Sequence, residues 1–315
     1  MRSQVVVGIF EMLAVTAIWG SVPVIFKLSG LPSPVFVFFR VAITAVLLAA
    51  ALRRFTCSGL TAVLSGVFLA LNWIFLFYAT ALMPVSTAVM IYYAGPIMAS
   101  VYMHFLGEKM QRPKLLALLI SFTGVALLVG FASYVTPLGV LFAVLSATFY
   151  AALIVASKLS AIRMAPIHLV LCQTSVATFF TAPFLALYKF EATPSALVAV
   201  FIAATVNTLL ALFLWYDALR RITVQLASAL SYLDPVYASI FAFLFLGQTS
   251  SQWTAVGGAL VILGGIMSIY AETRADKPGI KARLLEDVHV YLFQHPHVYD
   301  AVRPSFHKVD VNPHV

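Results

Sequence analysis

Two proline-centred stretches carry the residues most able to support chemistry inside a membrane. Gly95-Pro96 lies in one and Asp234-Pro235 in the other, and each proline follows the start of a long apolar run by about 11 residues. Since a helix rises about 1.5 Å per residue, both prolines lie near the midplane of a bilayer core about 30 Å thick. Proline removes a backbone hydrogen bond and interrupts the helix. Paired interruptions at this depth predict a transport site.

Among the ionisable side chains that are predicted to lie within apolar runs, three are candidates for function: Asp234, Arg40 and Glu11. Asp234 either binds a substrate amino group or a proton, or holds the interrupted helix through hydrogen bonds to its own backbone. Arg40 either extends to the outer surface or binds a substrate carboxylate. Glu11 closes the floor of a cavity or couples to protons, or it is solvated at the inner vestibule.

Several aromatic and amide side chains are also predicted to lie deep in the membrane, where a polar group needs a partner or a wet cavity. The predicted substrate-binding residues are Trp19, Asn72, Trp73, Tyr92, Tyr93, Tyr150, Asn207 and Tyr232. For the aromatic residues the alternative is packing with a local hydrogen bond, and for the two asparagines it is a hydrogen bond between helices. Aromatic residues nearer the span ends are assigned to the interfacial belt, namely Tyr78, Tyr188, Trp215 and Trp253.

The sequence favours neither an enzyme nor a metal protein. It contains no Gly-x-Ser-x-Gly, His-Glu-x-x-His or phosphate-binding loop, and its histidines lack a zinc-binding pattern. Cys57 and Cys172 have neither metal nor redox spacing, so no structural disulfide is expected. We therefore predict no catalytic residue, no metal and no cofactor.

Composition predicts a polytopic membrane protein, because 62% of the 315 residues are hydrophobic and only 10% are charged. We predict ten spans, numbered in chain order: 5–26, 34–52, 60–80, 85–106, 115–130, 138–157, 167–188, 197–219, 224–246 and 253–270. The net charge of +8 does not indicate nucleic-acid binding, because the charges lie almost entirely between spans and on one side.

Lys and Arg residues predict the orientation, since they concentrate on the cytoplasmic side of membrane proteins. With the N-terminus in the cytoplasm, all of them lie on the inner side except Lys27 and Lys189 outside and Arg40 within a span. Both termini are therefore predicted to be cytoplasmic, in a cell membrane of the bacterial inner-membrane type.

The two halves repeat. Lys27 ends span 1 as Lys158 ends span 6, and Pro34 opens span 2 as Pro166 opens span 7, with Arg40 matched by Gln173. Because five is an odd number, the second half enters the membrane from the opposite side. The predicted fold class is an all-α membrane protein with ten transmembrane helices arranged as two inverted five-helix repeats, at 5–130 and 138–270. Residues 271–315 form a predicted cytoplasmic tail, with an amphipathic segment at 280–293.

Particular motifs resemble the drug/metabolite transporter superfamily, specifically its EamA-type ten-helix members. They are Trp19-Gly20-Ser21 with Lys27; Arg40 with Ala42 and Ala45; Tyr216 with Ala218-Leu219-Arg220; and Asp234-Pro235 through Leu246-Gly247. The resemblance covers about residues 8–271, and one departure is Gln248, where the family usually has Glu. It implies a central cavity lined by spans 1, 3, 4, 6, 8 and 9, and export or exchange of small organic solutes.

The predicted function is a secondary transporter that exports or exchanges amino acids or related metabolites by alternating access. The alternative is a non-transporting membrane sensor or scaffold that uses the basic tail. The predicted partners are a small-molecule substrate and the lipid bilayer, with no nucleic acid. Small residues in spans 5 and 10, including Gly124 and Gly264, predict packing within the chain or, alternatively, a weak homodimer.

Overall fold

The structure is a computed structural model that describes residues 2–53, 57, 59–83, 85–129, 135–247 and 252–274. The described part of the chain is helical and contains no strand. The helices are Arg2–Gly20, Val22–Ser29, Ser33–Leu52, Leu60–Leu82, Val85–Tyr92, Gly95–Phe105, Arg112–Val129, Pro137–Ala161, Pro166–Thr181, Phe184–Leu187, Pro194–Ala204, Ala211–Arg221, Val224–Ser231, Leu233–Leu246 and Gln252–Arg274, with a π-helical segment at Thr205–Leu210. The predicted tail segment at 280–293 lies outside the described residues.

Eight stretches of the described chain are long and apolar enough to cross a membrane. The other two predicted spans correspond to the helix pair Val85–Tyr92 and Gly95–Phe105, and to the helix Arg112–Val129. The span numbers of the sequence analysis are kept for all the corresponding helices. The chain is thus a multi-pass membrane protein whose described part is all-helical, while the count of ten spans stays a prediction.

Local sequence sets where many helices begin. Proline occupies the first turn of the helices that start at Ser33, Pro137, Pro166 and Pro194, where its missing N–H costs nothing. Three helices also have a threonine N-cap whose side chain accepts a backbone N–H: Thr136, Thr193 and Thr223. These signals fix the ends of the helices that carry the central residues.

The first helix of each half packs against the third helix of the other half. Span 6 packs on span 3, and Ser146 Oγ donates to the carbonyl of Asn72 at 2.7 Å. Span 1 packs on span 8, and Trp19 Nε1 donates to the carbonyl of Asn207 at 3.1 Å. The two predicted repeats therefore contact each other through equivalent helix pairs, which fits the two-repeat arrangement.

Gly124 of span 5 and Gly264 of span 10 permit close contact between these two spans. A Cβ atom on Gly124 would lie 2.6 Å from the carbonyl oxygen of Gly257, and one on Gly264 would lie 2.6 Å from that of Ala117. Only glycine permits so close an approach. Of the two predicted uses of these glycines, the structure shows packing within the chain.

The expectation that the chain has no structural disulfide is wrong, because the structure joins Cys57 and Cys172 in one. Their Cα atoms are 4.9 Å apart, within the range that a disulfide requires. The two cysteines are separated by 115 positions in the sequence, and that spacing gives no sign of their proximity. The bond connects the segment between spans 2 and 3 to the interior of span 7.

Candidate functional site

A cavity of about 210 Å³ lies between the two halves. Eight predicted site residues line it: Trp19, Arg40, Asn72, Trp73, Tyr92, Tyr93, Tyr150 and Asp234. The rest of the wall is Val22, Leu69, Leu153, Ile154, Ser157, Gln173, Thr208, Leu212, Trp215 and Tyr216. Spans 2 and 7 thus contribute Arg40 and Gln173 to a wall that the family resemblance assigned to spans 1, 3, 4, 6, 8 and 9.

The two predicted helix interruptions both occur, each shortly before its proline. Span 4 breaks between Tyr92 and Gly95, and span 9 breaks at Tyr232. Pro96 and Pro235 then lie in the first turn of the following helices, where no backbone N–H is needed. The interruptions place Tyr92, Tyr93 and Asp234 beside the cavity.

A glycine permits a neighbouring helix to approach closely at both interruptions. In span 4 the glycine belongs to the interrupted helix, and at span 9 it belongs to the neighbouring helix. At span 4 it is Gly95 itself, where a Cβ would lie 2.7 Å from Tyr150 Cδ1 of span 6. At span 9 it is Gly20 of span 1, where a Cβ would lie 3.1 Å from the carbonyl oxygen of Asp234. Because Gly20 allows the approach there, position 234 can carry a side chain where position 95 cannot.

Arg40 extends across the interior toward span 8 and is only 8% exposed. Its Nε donates to Thr208 Oγ1 and its Nη2 to the carbonyl of Asn207, both at 2.9 Å. The guanidinium carbon lies 5.4 Å from the centre of the Trp73 ring, which suits a cation–π contact. Arg40 forms no ion pair with any residue that the structure describes.

The backbone segment to which Arg40 donates its hydrogen bonds is irregular. Asn207 and Thr208 lie in the π-helical segment of span 8, a feature that is frequent at functional sites. The Asn207 carbonyl accepts from both Trp19 and Arg40, and the Asn207 side chain donates to the carbonyl of Ile18 at 2.6 Å. The π-helical segment thereby joins spans 1, 2 and 8.

Asp234 lies beside the tyrosines at the helix interruptions. Its carboxylate is within electrostatic range of Tyr92, Tyr93 and Tyr150, and its Oδ1 is buried with no hydrogen-bond partner among the described residues. The described chain also provides no ion pair for it. Asp234 is therefore a second ionisable side chain in the cavity wall that lacks a charged partner among the described residues.

Aromatic rings form most of the remaining wall. Tyr92 and Tyr150 stack almost in parallel, with ring centres 4.5 Å apart and an interplanar angle of 6°. Trp19 packs against Trp215 with ring centres 5.4 Å apart. Such a surface can hold the apolar part of a solute while the few polar groups fix its orientation.

Five of the twelve buried side-chain polar atoms that lack a hydrogen-bond partner in the described chain belong to lining residues. Within the described chain they include Asn72 Oδ1, Ser157 Oγ, Gln173 Oε1, Tyr216 Oη and Asp234 Oδ1. Buried polar groups are normally hydrogen-bonded, so a cluster of exceptions indicates that water or a ligand satisfies them. Three of these atoms are pure acceptors, which suits a solute that brings N–H donors.

The other predicted site residues lie outside the cavity wall. Asn207 holds spans 1 and 8 together through its side chain, as described above. Tyr232 is fully buried and its hydroxyl donates to the Tyr93 carbonyl at 2.9 Å. Glu11 pairs with Arg221, with its Oε2 3.4 Å from the Arg221 Nε. Gly95, Pro96 and Pro235 shape the backbone of the interruptions.

Sequence reasoning missed two notable lining residues, Gln173 and Trp215. Gln173 lies within one position of the place of Arg40 in the repeat, so the repeat itself carried the signal. Trp215 was assigned to the interfacial belt, and the structure corrects this because its side chain is 4% exposed and packs on Trp19. It lies six residues before the end of span 8 at Arg221, about 9 Å along the helix axis.

A buried polar network joins the two halves at the end predicted to be cytoplasmic. Lys114 Nζ lies 2.5 Å from Glu272 Oε2, and Glu272 also accepts from the backbone N–H of Thr223 at 3.2 Å. Glu108 accepts the Val224 N–H at 2.7 Å. Burial raises the pKa of the Glu108 carboxyl, and its interactions with Lys158 and the backbone partly oppose this rise. These span ends meet as the topology predicts.

Comparison with known proteins identifies the family. The model of the EamA-like transporter family matches residues 6–130 and 137–270, which together make up most of the chain. The chain belongs to this family. It is therefore a multi-pass membrane transporter, and its family is one of transporters rather than of enzymes.

Individual relatives agree with this assignment. The EamA-like transporter is 25% identical over 224 residues to the uncharacterized transporter YxxF of Bacillus subtilis, covering 69% of this chain and 71% of the relative. It is 23% identical over 184 residues to an uncharacterized transporter of Archaeoglobus fulgidus, covering 58% of this chain and 67% of the relative. A solved crystal structure matches with a TM-score of 0.71 at 22% identity, covering 86% of this chain and 99% of that one. That last likeness shows the fold alone.

Proposed function

We propose that this EamA-like transporter is a secondary transporter of the inner membrane that exports or exchanges amino acids or related metabolites by alternating access. The observation that carries the proposal is the cavity itself. It lies between two halves that contact each other through equivalent helix pairs, and both halves contribute to its wall. An inverted repeat around a central site is the arrangement in which rocking of one half against the other exposes the site to each side in turn.

The size of the cavity favours small solutes. Pockets for drug-sized ligands occupy roughly 300–1,000 Å³, whereas this cavity measures about 210 Å³. An amino acid is a suitable occupant, and a sugar nucleotide is too large. The stacked tyrosines and paired tryptophans add apolar surface, so we expect solutes with an apolar part to be preferred.

Counterflow tests the proposal directly. Purified protein is reconstituted into vesicles loaded with one unlabelled amino acid, and uptake of the same labelled amino acid is measured across a panel of the twenty. Trp73→Ala and Tyr150→Ala each remove part of the cavity wall and should lower counterflow about three- to tenfold, since an aromatic contact contributes about 0.5–1.5 kcal/mol beyond its area.

Trp253→Ala is the matched control, because the Trp253 side chain is 64% exposed and belongs to span 10. It should leave counterflow within about twofold of wild type, since single surface contacts contribute little. Absence of counterflow for every amino acid, with correctly inserted protein, would contradict the proposal and favour the scaffold alternative. A loss of counterflow in Trp253→Ala alone would contradict the assignment of the cavity.

A further inference from the structure

We propose that the site recognises zwitterions through two separate charged residues, with Arg40 binding the anionic group of the solute and Asp234 binding its cationic group. This inference rests on the proposed transport function and deepens it, because it assigns the substrate class and the orientation in which the substrate is held.

Arg40 still has N–H donors available for an anion after its contacts within the protein are counted. A guanidinium carries five N–H donors, and Nε and Nη2 use two of them on Thr208 and the Asn207 carbonyl. Both acceptors are neutral, and no carboxylate in the described chain pairs with Arg40. These two contacts fix the plane of the guanidinium while its charge stays uncompensated.

Asp234 likewise lacks a partner of opposite charge among the described residues. Its Oδ1 is buried without a partner, and the groups within electrostatic range are the neutral hydroxyls of Tyr92, Tyr93 and Tyr150. Asn72 Oδ1 and Gln173 Oε1, which belong to other lining residues, are further acceptors without donors. An ammonium group has three donors and one positive charge, so it can satisfy the carboxylate and one or more of these oxygens.

Because an unpaired buried charge is costly, this arrangement should make the site specific for zwitterions. An isolated charge taken out of water costs several kcal/mol, and the cavity wall holds two side chains that can carry opposite charges and lack a charged partner among the described residues. A solute with a single charge compensates one of them and leaves the other unpaired. A zwitterion compensates both, so it should be preferred over each of its singly charged analogues.

The repeat supports distinct roles for the two charges. Counted from Pro34 and Pro166, Gln173 lies within one position of the place of Arg40, and the position before Pro96 that matches Asp234 is Gly95. Each charge therefore occurs in one half only, which breaks the pseudo-symmetry of the site. A solute with unlike ends is consequently held in one orientation, with its anionic end toward span 2 and its cationic end toward span 9.

The test compares solutes that share one apolar part and differ in the charges they carry. Leucine, 3-methylbutylamine and 4-methylpentanoate share a branched apolar part and differ in carrying both charges, the positive charge only or the negative charge only. Binding of each is measured by the thermal stabilisation of purified protein, and transport by inhibition of amino-acid counterflow. Phenylalanine, 2-phenylethylamine and 3-phenylpropanoate form a second set for a larger side chain.

In wild type, the zwitterion of the better-bound set should bind at least about tenfold more tightly than either analogue. Arg40→Gln should abolish the preference over the amine while keeping the preference over the carboxylate. Asp234→Asn should do the reverse, and Arg40→Lys should restore part of the preference lost in Arg40→Gln. Trp253→Ala should keep the wild-type preferences.

Two results would overturn the inference. The first is equal binding of the zwitterion and its analogues to the wild type, or no binding of any of them. The second is a uniform loss of binding to all three solutes in Arg40→Gln and in Asp234→Asn, which is the outcome for purely architectural residues. A zwitterion preference with the predicted pattern but without counterflow would uphold the inference for binding and contradict the transport function, so the two failures are distinguishable.

Discussion

Tyr232 of span 9 donates a hydrogen bond from its hydroxyl to the backbone carbonyl of Tyr93 in span 4, over 2.9 Å. The same hydroxyl also interacts with the backbone N–H of Ile97. A side chain from one interruption is therefore inserted into the hydrogen-bond ladder of the other, a recognised cause of helix distortion. Because the two spans belong to different halves, this contact couples the halves at the centre of the protein.

Tyr232→Phe tests that coupling with a change of one oxygen atom. The substitution leaves the Tyr93 carbonyl buried without its partner, and an unsatisfied buried group costs about 1–3 kcal/mol. The Tyr232 side chain is fully buried. We expect a lower midpoint of thermal unfolding in detergent. Tyr78→Phe, on a side chain that is 48% exposed, is the control and should leave the midpoint unchanged.

Lys114 and Glu272 form another contact between the halves, at the end predicted to be cytoplasmic. Their side chains are 3% and 8% exposed. Removing one partner of a buried ion pair leaves an uncompensated charge and costs about 3–5 kcal/mol. Lys114→Met and Glu272→Gln should therefore each lower the unfolding midpoint strongly.

The double variant Lys114→Met/Glu272→Gln should be more stable than the sum of the two losses predicts, because it buries no unpaired charge. Arg220→Ala is the control, since the Arg220 side chain is 46% exposed and its pairing with Asp217 should contribute less than about 1 kcal/mol. Strictly additive losses in the double variant would show that the pair is not coupled.

Gly264 and Gly258 lie on the same helix and differ in the space around them. A Cβ at Gly264 would meet the carbonyl oxygen of Ala117 at 2.6 Å, whereas one at Gly258 would meet only Val236 Cγ1 at 3.8 Å. Gly264→Ala should therefore destabilise the protein by about 1–3 kcal/mol through overpacking. Gly258→Ala should be neutral or stabilising, because alanine is the better helix former by about 1 kcal/mol. Equal unfolding midpoints for the two variants would contradict the close packing of spans 5 and 10.

The sequence predicted the features that depend on spacing along the chain. The breaks before Pro96 and Pro235 follow from proline chemistry, and most of the deep polar residues follow from their distance to the span ends. Asp234 and Arg40 could be placed at the right depth for these reasons. A central cavity was expected from the family resemblance, which itself rested on motifs at fixed spacing.

Features that depend on side-chain direction or on contacts between distant segments could not be predicted. Asn207 faces span 1 because span 8 contains a π-helical segment, and no residue pattern at Thr205–Leu210 indicated that segment. The Cys57–Cys172 bond and the burial of Trp215 likewise depend on which helix packs next to which. The different glycine partners at the two interruptions, Gly95 and Gly20, could be recognised only from the packed helices.

The orientation of the protein is the last prediction, and the network around Lys114 makes it specific. The span ends that meet there are those that the Lys and Arg distribution assigns to the cytoplasm. We expect single cysteines at Lys109 and Arg220 to react with a membrane-impermeant maleimide only from the cytoplasm, in a background with Cys57 and Cys172 replaced. Cysteines at Val135 and Gln248 should react only from outside, because an odd number of spans separates them from the first two positions. Labelling of the Gln248 position from the cytoplasm would contradict both the ten-span count and the inverted repeat, since each requires span 9 to end on the outer side.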